Sequence, residues 1–278
     1  MPLQIKVDPA GLAAGTYTGT VTISAEGTAE AITVTATVSA GPVITSVQNA
    51  ATPDGTFAPN SFITVYGSGF ATGPNSWNPV TTLPTTLGGV TAKVNGKDAY
   101  ISYAGTGQLN ILAPPDTASG PITVQVTTAA GSATGTATLG AVAPAWFTYN
   151  INGPTWLAAL FGNTATYVVP ANTFGASIQT HSAKAGDYLQ LYATGMGATN
   201  PPAPSGVVLL TTYPLDDLAR VKLTIAGQPI PVLYAGLTAA GLYQVNIQVP
   251  AGLGTGELPI VMTVDGHPTQ LGVTLNFQ

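Results

Sequence analysis

Cysteine is missing altogether from the 278 residues. That excludes disulfides, Cys-x-x-Cys zinc sites and thiolate nucleophiles, but it leaves the compartment open. Charge is almost as scarce. Asp, Glu, Lys and Arg make up 6% of the chain, against roughly 25% in an ordinary soluble domain. Six Lys and Arg face eleven carboxylates, for a net charge of −5. A phosphate backbone needs a basic face, so nucleic acid is excluded as a partner, and an anionic membrane surface is disfavoured for the same reason. No apolar run approaches the 18 or so residues of a membrane helix, and no helical periodicity of any length is present. Membrane insertion is therefore not expected. Two histidines complete a meagre set of titratable groups, which argues against catalysis. No metal or organic cofactor is expected.

What the chain does have is apolar residues (45%), 33 Gly and 23 Pro. With Thr, Ser, Asn and Gln forming the polar surface, this composition fits many short strands joined by tight turns. TYTGTVTISA and AITVTATVSA alternate with period two, which puts Tyr17, Val21 and Ile23, and Ile32, Val34, Ala36 and Val38, on the inward face of a partial sandwich over 1–41. About three strands are expected there. MPLQIKV opens directly on strand-like sequence, so we expect Met1 to be an introduced start and the natural chain to be longer.

From residue 42 the pattern is written twice. Ile63–Gly69 aligns with Leu189–Gly195 at an offset of 126. Val94-Asn95-Gly96 and Tyr103-Ala104-Gly105 align with Ile225-Ala226-Gly227 and Tyr234-Ala235-Gly236 at 131, and Gln108, Asn110 and Pro114 with Gln244, Asn246 and Pro250 at 136. Each change of offset falls in a loop, where insertions are tolerated. The expected architecture is all-β: tandem immunoglobulin-like antiparallel sandwiches at 42–143 and 144–278, preceded by the partial segment 1–41. APAWFTYNINGPTW reads as an apolar linker between the copies. Only TWLAALF and PLDDLAR have the makings of a helical turn or two.

The runs LPTTLGGVTAKVNG, ISYAGTGQLNILAP, AKAGDYLQLYATGMGATNPPAPSG and VLYAGLTAAGLYQVNIQVPAGLGTGELPI resemble, in this order, the repeated C-terminal β-sandwich domain of acidobacterial secreted proteins, the Solibacter-type C-terminal family. VDPAGLAAGTYTGTVTIS resembles the last strands of a BACON-type sandwich. The resemblance implies a secreted or cell-surface, multi-domain context; it implies no activity and no site residues.

Candidate sites are few. Tyr-Gly-Ser-Gly-Phe at 66–70 lacks the first glycine of a nucleophile elbow and reads as a strand-end turn. His181 and His267 have no metal-ligand spacing around them; a spatially assembled Ser/His/Asp hydrolase is kept as an alternative. Asp216 and Asp217 would suit a loop Ca²⁺, without a motif to support it. The aromatics Trp77, Trp156, Tyr149 and Tyr167 are candidate platforms for a neutral glycan, set against the plainer role of sealing the junction between copies. Gln108, Asn110, Gln244, Asn246 and Gln248 form polar ladders that pair locally or meet a ligand. The leading expectation is a non-catalytic exported module for adhesion, spacing or self-assembly, by strand addition at the open edges of 1–41. Its partners would be neutral polysaccharide, other protein modules or copies of itself. The alternative is a carbohydrate-binding module.

Overall fold

The computed structural model describes residues 4–25, 27–78, 82–151 and 153–278. The chain is immunoglobulin-like and almost wholly β. In the first sandwich one sheet runs Val43–Asn49, Phe62–Ser68, Gln108–Leu112, Tyr100–Ala104 and Asn75–Ser76. The facing sheet runs Thr56–Phe57, Gly131–Leu139, Gly120–Thr128, Val90–Val94 and Thr86–Leu87. The four longer strands of the first sheet follow the A-B-E-D order, and the long strands opposite follow G-F-C. Alternation builds the core: Ile63, Val65, Leu109 and Ile111 point inward to meet Val90, Val94, Val124 and Val126.

The second sandwich repeats this plan. Its outer sheet is centred on Tyr188–Thr194, Leu242–Gln248 and Val232–Ala239, and its facing sheet on Val273–Phe277, Gly256–Val264 and Val221–Ile225. Asn95-Gly96 and Ala226-Gly227 both take positive φ at the two centres of a tight hairpin. That backbone twist matches the flanking strands, which explains why this part of the repeat aligns so cleanly.

Two expectations are corrected. APAWFTYNINGPTW is not a linker: Ala145–Trp146 pairs with Tyr188–Thr194, while Thr148–Asn150 and Thr155–Leu157 form a hairpin of the facing sheet. Trp146 is fully buried in the second core. TWLAALF contributes two strands, Thr155–Leu157 and Ala159–Phe161, because both find neighbours to pair with; tertiary pairing overrides its helical composition. PLDDLAR makes one 3₁₀ turn, Leu218–Arg220, within the turn or two expected of it.

The N-terminal segment holds two strands rather than about three. Residues 1–3 lie outside the described residues, and 4–9 form no strand. Among the described residues Gly15–Ala25 and Thr28–Val38 pair only with each other, Val21 opposite Ile32 and Gly19 opposite Val34. Register does put the apolar set on one face, but among the described residues no second sheet covers it: Val21, Val34, Ala36 and Val38 are half-buried, while Tyr17, Ile23 and Ile32 (41%) stay exposed. The segment around Ile5 and Val7 lines a groove of about 370 Å³ beside Tyr17, Val21 and Val34.

The two sandwiches meet through directed contacts. Buried Asn49 donates from Nδ2 to the carbonyl of Ala143, the residue at which the chain passes from the first sandwich to the second, at 3.2 Å. Gln270 donates from Nε2 to the carbonyls of Ala51 (3.2 Å) and Trp146 (2.7 Å). The Leu83 N–H donates to the Gly206 carbonyl at 2.8 Å. At the D–E turn of the second copy, Gly241 has φ +67° and lies against Phe62 and Leu112 of the first. A Cβ there would overlap the Phe62 ring and stand 3.1 Å from Leu112 Cδ1.

Gly241→Ala therefore meets two penalties, the left-handed backbone and the steric clash. Gly252→Ala, at φ +85° with open space around it, meets only the first. In urea denaturation Gly241→Ala should lose about 1–3 kcal/mol more than Gly252→Ala. Equal losses would mean that this contact does not hold the junction.

Candidate binding face

The outer face of the second sandwich is made by the residues that alternate with its core. Along Tyr188–Thr194, Leu189, Leu191 and Ala193 are buried, leaving Tyr188, Gln190 and Tyr192 outward. Along Leu242–Gln248, Tyr243, Val245 and Ile247 are buried, leaving Leu242, Gln244, Asn246 and Gln248 outward. The antiparallel register sets Tyr192 opposite Gln244, Gln190 opposite Asn246 and Tyr188 opposite Gln248. Gln244 donates from Nε2 to Asn246 Oδ1 at 2.8 Å, so the amides are held in fixed orientation.

A wall rises beside this face from an excursion that the first copy lacks. Between its two A-strand pieces the chain throws out the hairpin carrying Tyr149. It then returns through Ala159–Phe161 to Tyr167–Val168, where Tyr167 pairs opposite Leu160 and Leu160 opposite Gln190. Tyr149, Tyr167 and Phe174 pack edge to face, with ring centroids 5.9 Å (Tyr149–Tyr167), 5.1 Å (Tyr149–Phe174) and 5.1 Å (Tyr167–Phe174) apart. Such pairs gain energy beyond their buried area. Phe147, Thr148, Tyr149, Ala158, Tyr192 and Leu242 line a cavity of about 440 Å³.

Burial raises the Tyr149 hydroxyl above the ordinary tyrosine range, and the neighbouring Tyr167 and Tyr192 add to the shift. Tyr192 is raised by burial and then by Tyr167. Both hydroxyls stay protonated at biological pH and act as neutral donors and acceptors. None of the strands Tyr188–Thr194, Val232–Ala239, Leu242–Gln248, Ala159–Phe161 and Tyr167–Val168 contains Asp, Glu, Lys or Arg. The face is polar and uncharged.

Of the residues expected to bind, Tyr149 and Tyr167 are brought together here. Trp77 belongs to the other copy. It is half-buried and follows the edge strand Asn75–Ser76, its N–H donating to the Ser102 carbonyl at 2.9 Å. Trp156 is corrected: it is 3% exposed and offers no platform. Its strand is paired on both sides, by Thr148–Asn150 and Val273–Phe277, and residues 170–173 lie against it. Tyr192, Gln190 and Phe174 were not foreseen. A signal for the first two existed in the Tyr-x-Gln-x-Tyr alternation, but only pairing with Leu242–Gln248 shows that they complete this face.

The other candidates have structural partners. His181 stacks on Phe161 at 3.9 Å between ring centroids, with Nδ1 3.0 Å from the Ser182 carbonyl, while the Ser182 hydroxyl donates to Asn276. Asp216 and Asp265 both bind Arg220, whose hydrogen bonds hold the Asp265 carboxyl below its usual range. Asp217 accepts from the Ala219 N–H at 2.8 Å and caps the 3₁₀ turn. Among the described residues no imidazole hydrogen-bonds a serine hydroxyl or a carboxylate, and no three His, Asp or Glu gather as a metal site. No helix there is long and apolar enough to cross a membrane.

No family model and no curated protein matches the chain. Among solved structures it is similar to a Bacteroides ovatus protein of a mixed-linkage glucan utilization locus in complex with a mixed-linkage heptasaccharide: 14% identity, 96% of this chain and 54% of that one, TM-score 0.35. It is similar to the plexin A4 extracellular region at 9% identity, covering 87% of this chain and 18% of that one, TM-score 0.29. An I-band fragment of titin matches at 11% identity over 95% of this chain and 75% of that one, TM-score 0.26. The chain thus spans about half of the glucan-locus protein and under a fifth of the plexin region. At these scores none of the three bears on what the chain binds.

The burial of Trp156 has a measurable consequence. Trp156→Ala should cost about 3–5 kcal/mol in chemical denaturation. A loss below about 1 kcal/mol would place the ring at the surface.

Proposed function

We propose that the chain is a non-catalytic, exported surface or matrix module that holds a neutral polysaccharide on the outer face of its second sandwich. The resemblance to secreted acidobacterial repeats supports export. The observation that carries the reading is the convergence of Tyr149, Tyr167 and Tyr192 with Gln190, Gln244 and Asn246 on a face whose strands carry no Asp, Glu, Lys or Arg. Sugar rings present an apolar C–H face and a rim of hydroxyls. Tyrosine rings complement the first; tyrosine hydroxyls and amides complement the second without the desolvation cost of a fixed charge. A polyanion would call for Arg or Lys here.

Affinity electrophoresis tests this, with hydroxyethylcellulose, galactomannan and dextran as neutral polymers and polygalacturonate as the charged control. At least one neutral polymer should retard the protein, and Tyr192→Ala should weaken that retardation about tenfold, on the order of the stacking and hydrogen-bond energy lost. Indifference to all three neutral polymers, or equal retardation by polygalacturonate, defeats the proposal.

A second reading rests on a different observation. Among the described residues the hairpin Gly15–Ala25/Thr28–Val38 has two unpaired edges, and Tyr17, Ile23 and Ile32 on its apolar face are exposed. Both features favour association with another chain, by strand addition or face packing. Light scattering over a concentration series should then show mass rising with concentration in the natural sequence, and Ile32→Lys should abolish the rise. A monomer throughout removes this reading and leaves the polysaccharide face untouched.

A further inference from the structure

We infer that the first sandwich carries a second, equivalent subsite for the same class of ligand, centred on Tyr66, Gln108 and Asn110, so that one chain grips a linear neutral polysaccharide at two points. The inference rests on the function proposed above.

Its basis is a side-chain constellation that recurs in three dimensions. In the second copy, Tyr192 stands opposite Gln244 across the B–E strand pair. In the first, Tyr66 stands opposite Gln108 across the same pair. In both, the glutamine Nε2 donates to the asparagine two residues on along the same strand: Gln108 to Asn110 Oδ1 at 2.9 Å and Gln244 to Asn246 Oδ1 at 2.8 Å. That bond uses one donor and one acceptor of the pair. It leaves the glutamine carbonyl and the asparagine NH₂, held at fixed spacing, directed to no protein partner among the described residues. Tyr66 is 38% exposed, so its ring is presented to solvent. Trp77 follows the edge strand of the same sheet, and Ser76 pairs with Tyr103 there.

Charge agrees. The strands Val43–Asn49, Phe62–Ser68, Tyr100–Ala104 and Gln108–Leu112 contain no Asp, Glu, Lys or Arg. Both copies place their few charges elsewhere: Lys93, Lys97 and Asp98 on the opposite sheet of the first, Lys222 and Glu257 on that of the second. The occupant suited to both outer faces is therefore the same uncharged, hydroxyl-rich polymer.

Placement agrees too. Phe62 and Leu112 lie on the same side of their strands as Tyr66 and Asn110, by period-two alternation. Those two residues are what Gly241 covers, and the outward residues that follow it are Leu242 and Gln244. The two outer faces thus meet at the junction, and the Tyr66 and Tyr192 rows lie within roughly 30 Å of each other by strand rise. What differs is the wall. The first copy lacks the excursion that carries Tyr149, Tyr167 and Phe174, so its subsite is the shallower and weaker. Two linked subsites raise affinity for a polymer through effective concentration, with no new contact at either site.

The experiment uses the full chain with Tyr66→Ala, Tyr192→Ala and the double substitution, on the same neutral polymers. Circular dichroism confirms folding, and Tyr66→Phe serves as a variant that keeps the ring. Tyr66→Ala should weaken retardation about three- to tenfold, the double variant should lose it almost entirely, and Tyr66→Phe should fall between wild type and Tyr66→Ala. If Tyr192→Ala weakens binding while Tyr66→Ala leaves it unchanged, the second subsite is overturned and the single-site function stands. If neither substitution has an effect, both readings fall. If Tyr66→Phe binds as poorly as Tyr66→Ala, the subsite works by the hydroxyl alone and the stacking argument for it is overturned.

Discussion

Everything on the outer face depends on the register of one strand pair. When Tyr188–Thr194 lies antiparallel to Leu242–Gln248 with Leu191 opposite Val245, the apolar set closes on the core and the Tyr, Gln and Asn set is turned to solvent in the same step. A one-residue slip of Leu242–Gln248 would invert both of its sets together, burying Gln244, Asn246 and Gln248 and exposing Tyr243, Val245 and Ile247. The core enforces that register, so the geometry of the face costs the molecule no interaction beyond those that already make the sandwich. The same holds for Phe62–Ser68 and Gln108–Leu112 in the first copy, which is why one constellation appears twice.

The low charge belongs to the same logic. With the four longest strands of each outer sheet free of Asp, Glu, Lys and Arg, polarity is carried by groups that hydrogen-bond without a strong demand for hydration. The charged residues that exist are largely committed to structure. Lys93 pairs with Asp98, Lys97 with Asp116, and Arg220 with Asp216 and Asp265. The Asp116 carboxyl is held at about 2, first by the Ala118 N–H, then by Asn95 and Lys97. None of these pairs involves the long strands of the two outer sheets, whose faces stay free of Asp, Glu, Lys and Arg.

The two copies have diverged in one place that matters. The core strands, the tight Asn-Gly and Ala-Gly hairpins and the Tyr-Ala-Gly segments are shared. In the latter the tyrosine ring folds back over the glycine, at Gly105 as at Gly236, where a Cβ would also meet the backbone of Tyr213 and Pro214. The divergence lies in the stretch between the A and B strands. In the second copy it lengthens into paired excursions and supplies a tyrosine wall, while the turn at Gly241 and the Gln270 side chain lock that copy to the first. Variation is confined to loops and edges because there an added residue disturbs no buried contact.

Alternation, Gly-punctuated spacing and the internal repeat are local properties of a chain, and they determined on their own that this protein is all-β, double and short of catalytic groups. The placement of Tyr149 and Tyr167 near one another was also legible, since both sit in the one stretch that the first copy does not match. Other features had no local cause. Trp156 reads as either a glycan platform or a seal between the copies, yet its strand acquires a neighbour on each side and the ring is covered within the second copy. The set Tyr17, Val21, Ile23 and Ile32 reads as inward, yet the hairpin that carries it finds no covering sheet among the described residues. The partnership of Tyr192 with Gln244, and the meeting of the two outer faces at Gly241, join residues about 50 and 180 positions apart in the chain. Sequence pattern reports which side of a strand a residue is on; which strand lies next to it, and what covers that side, is decided only when the sheets close.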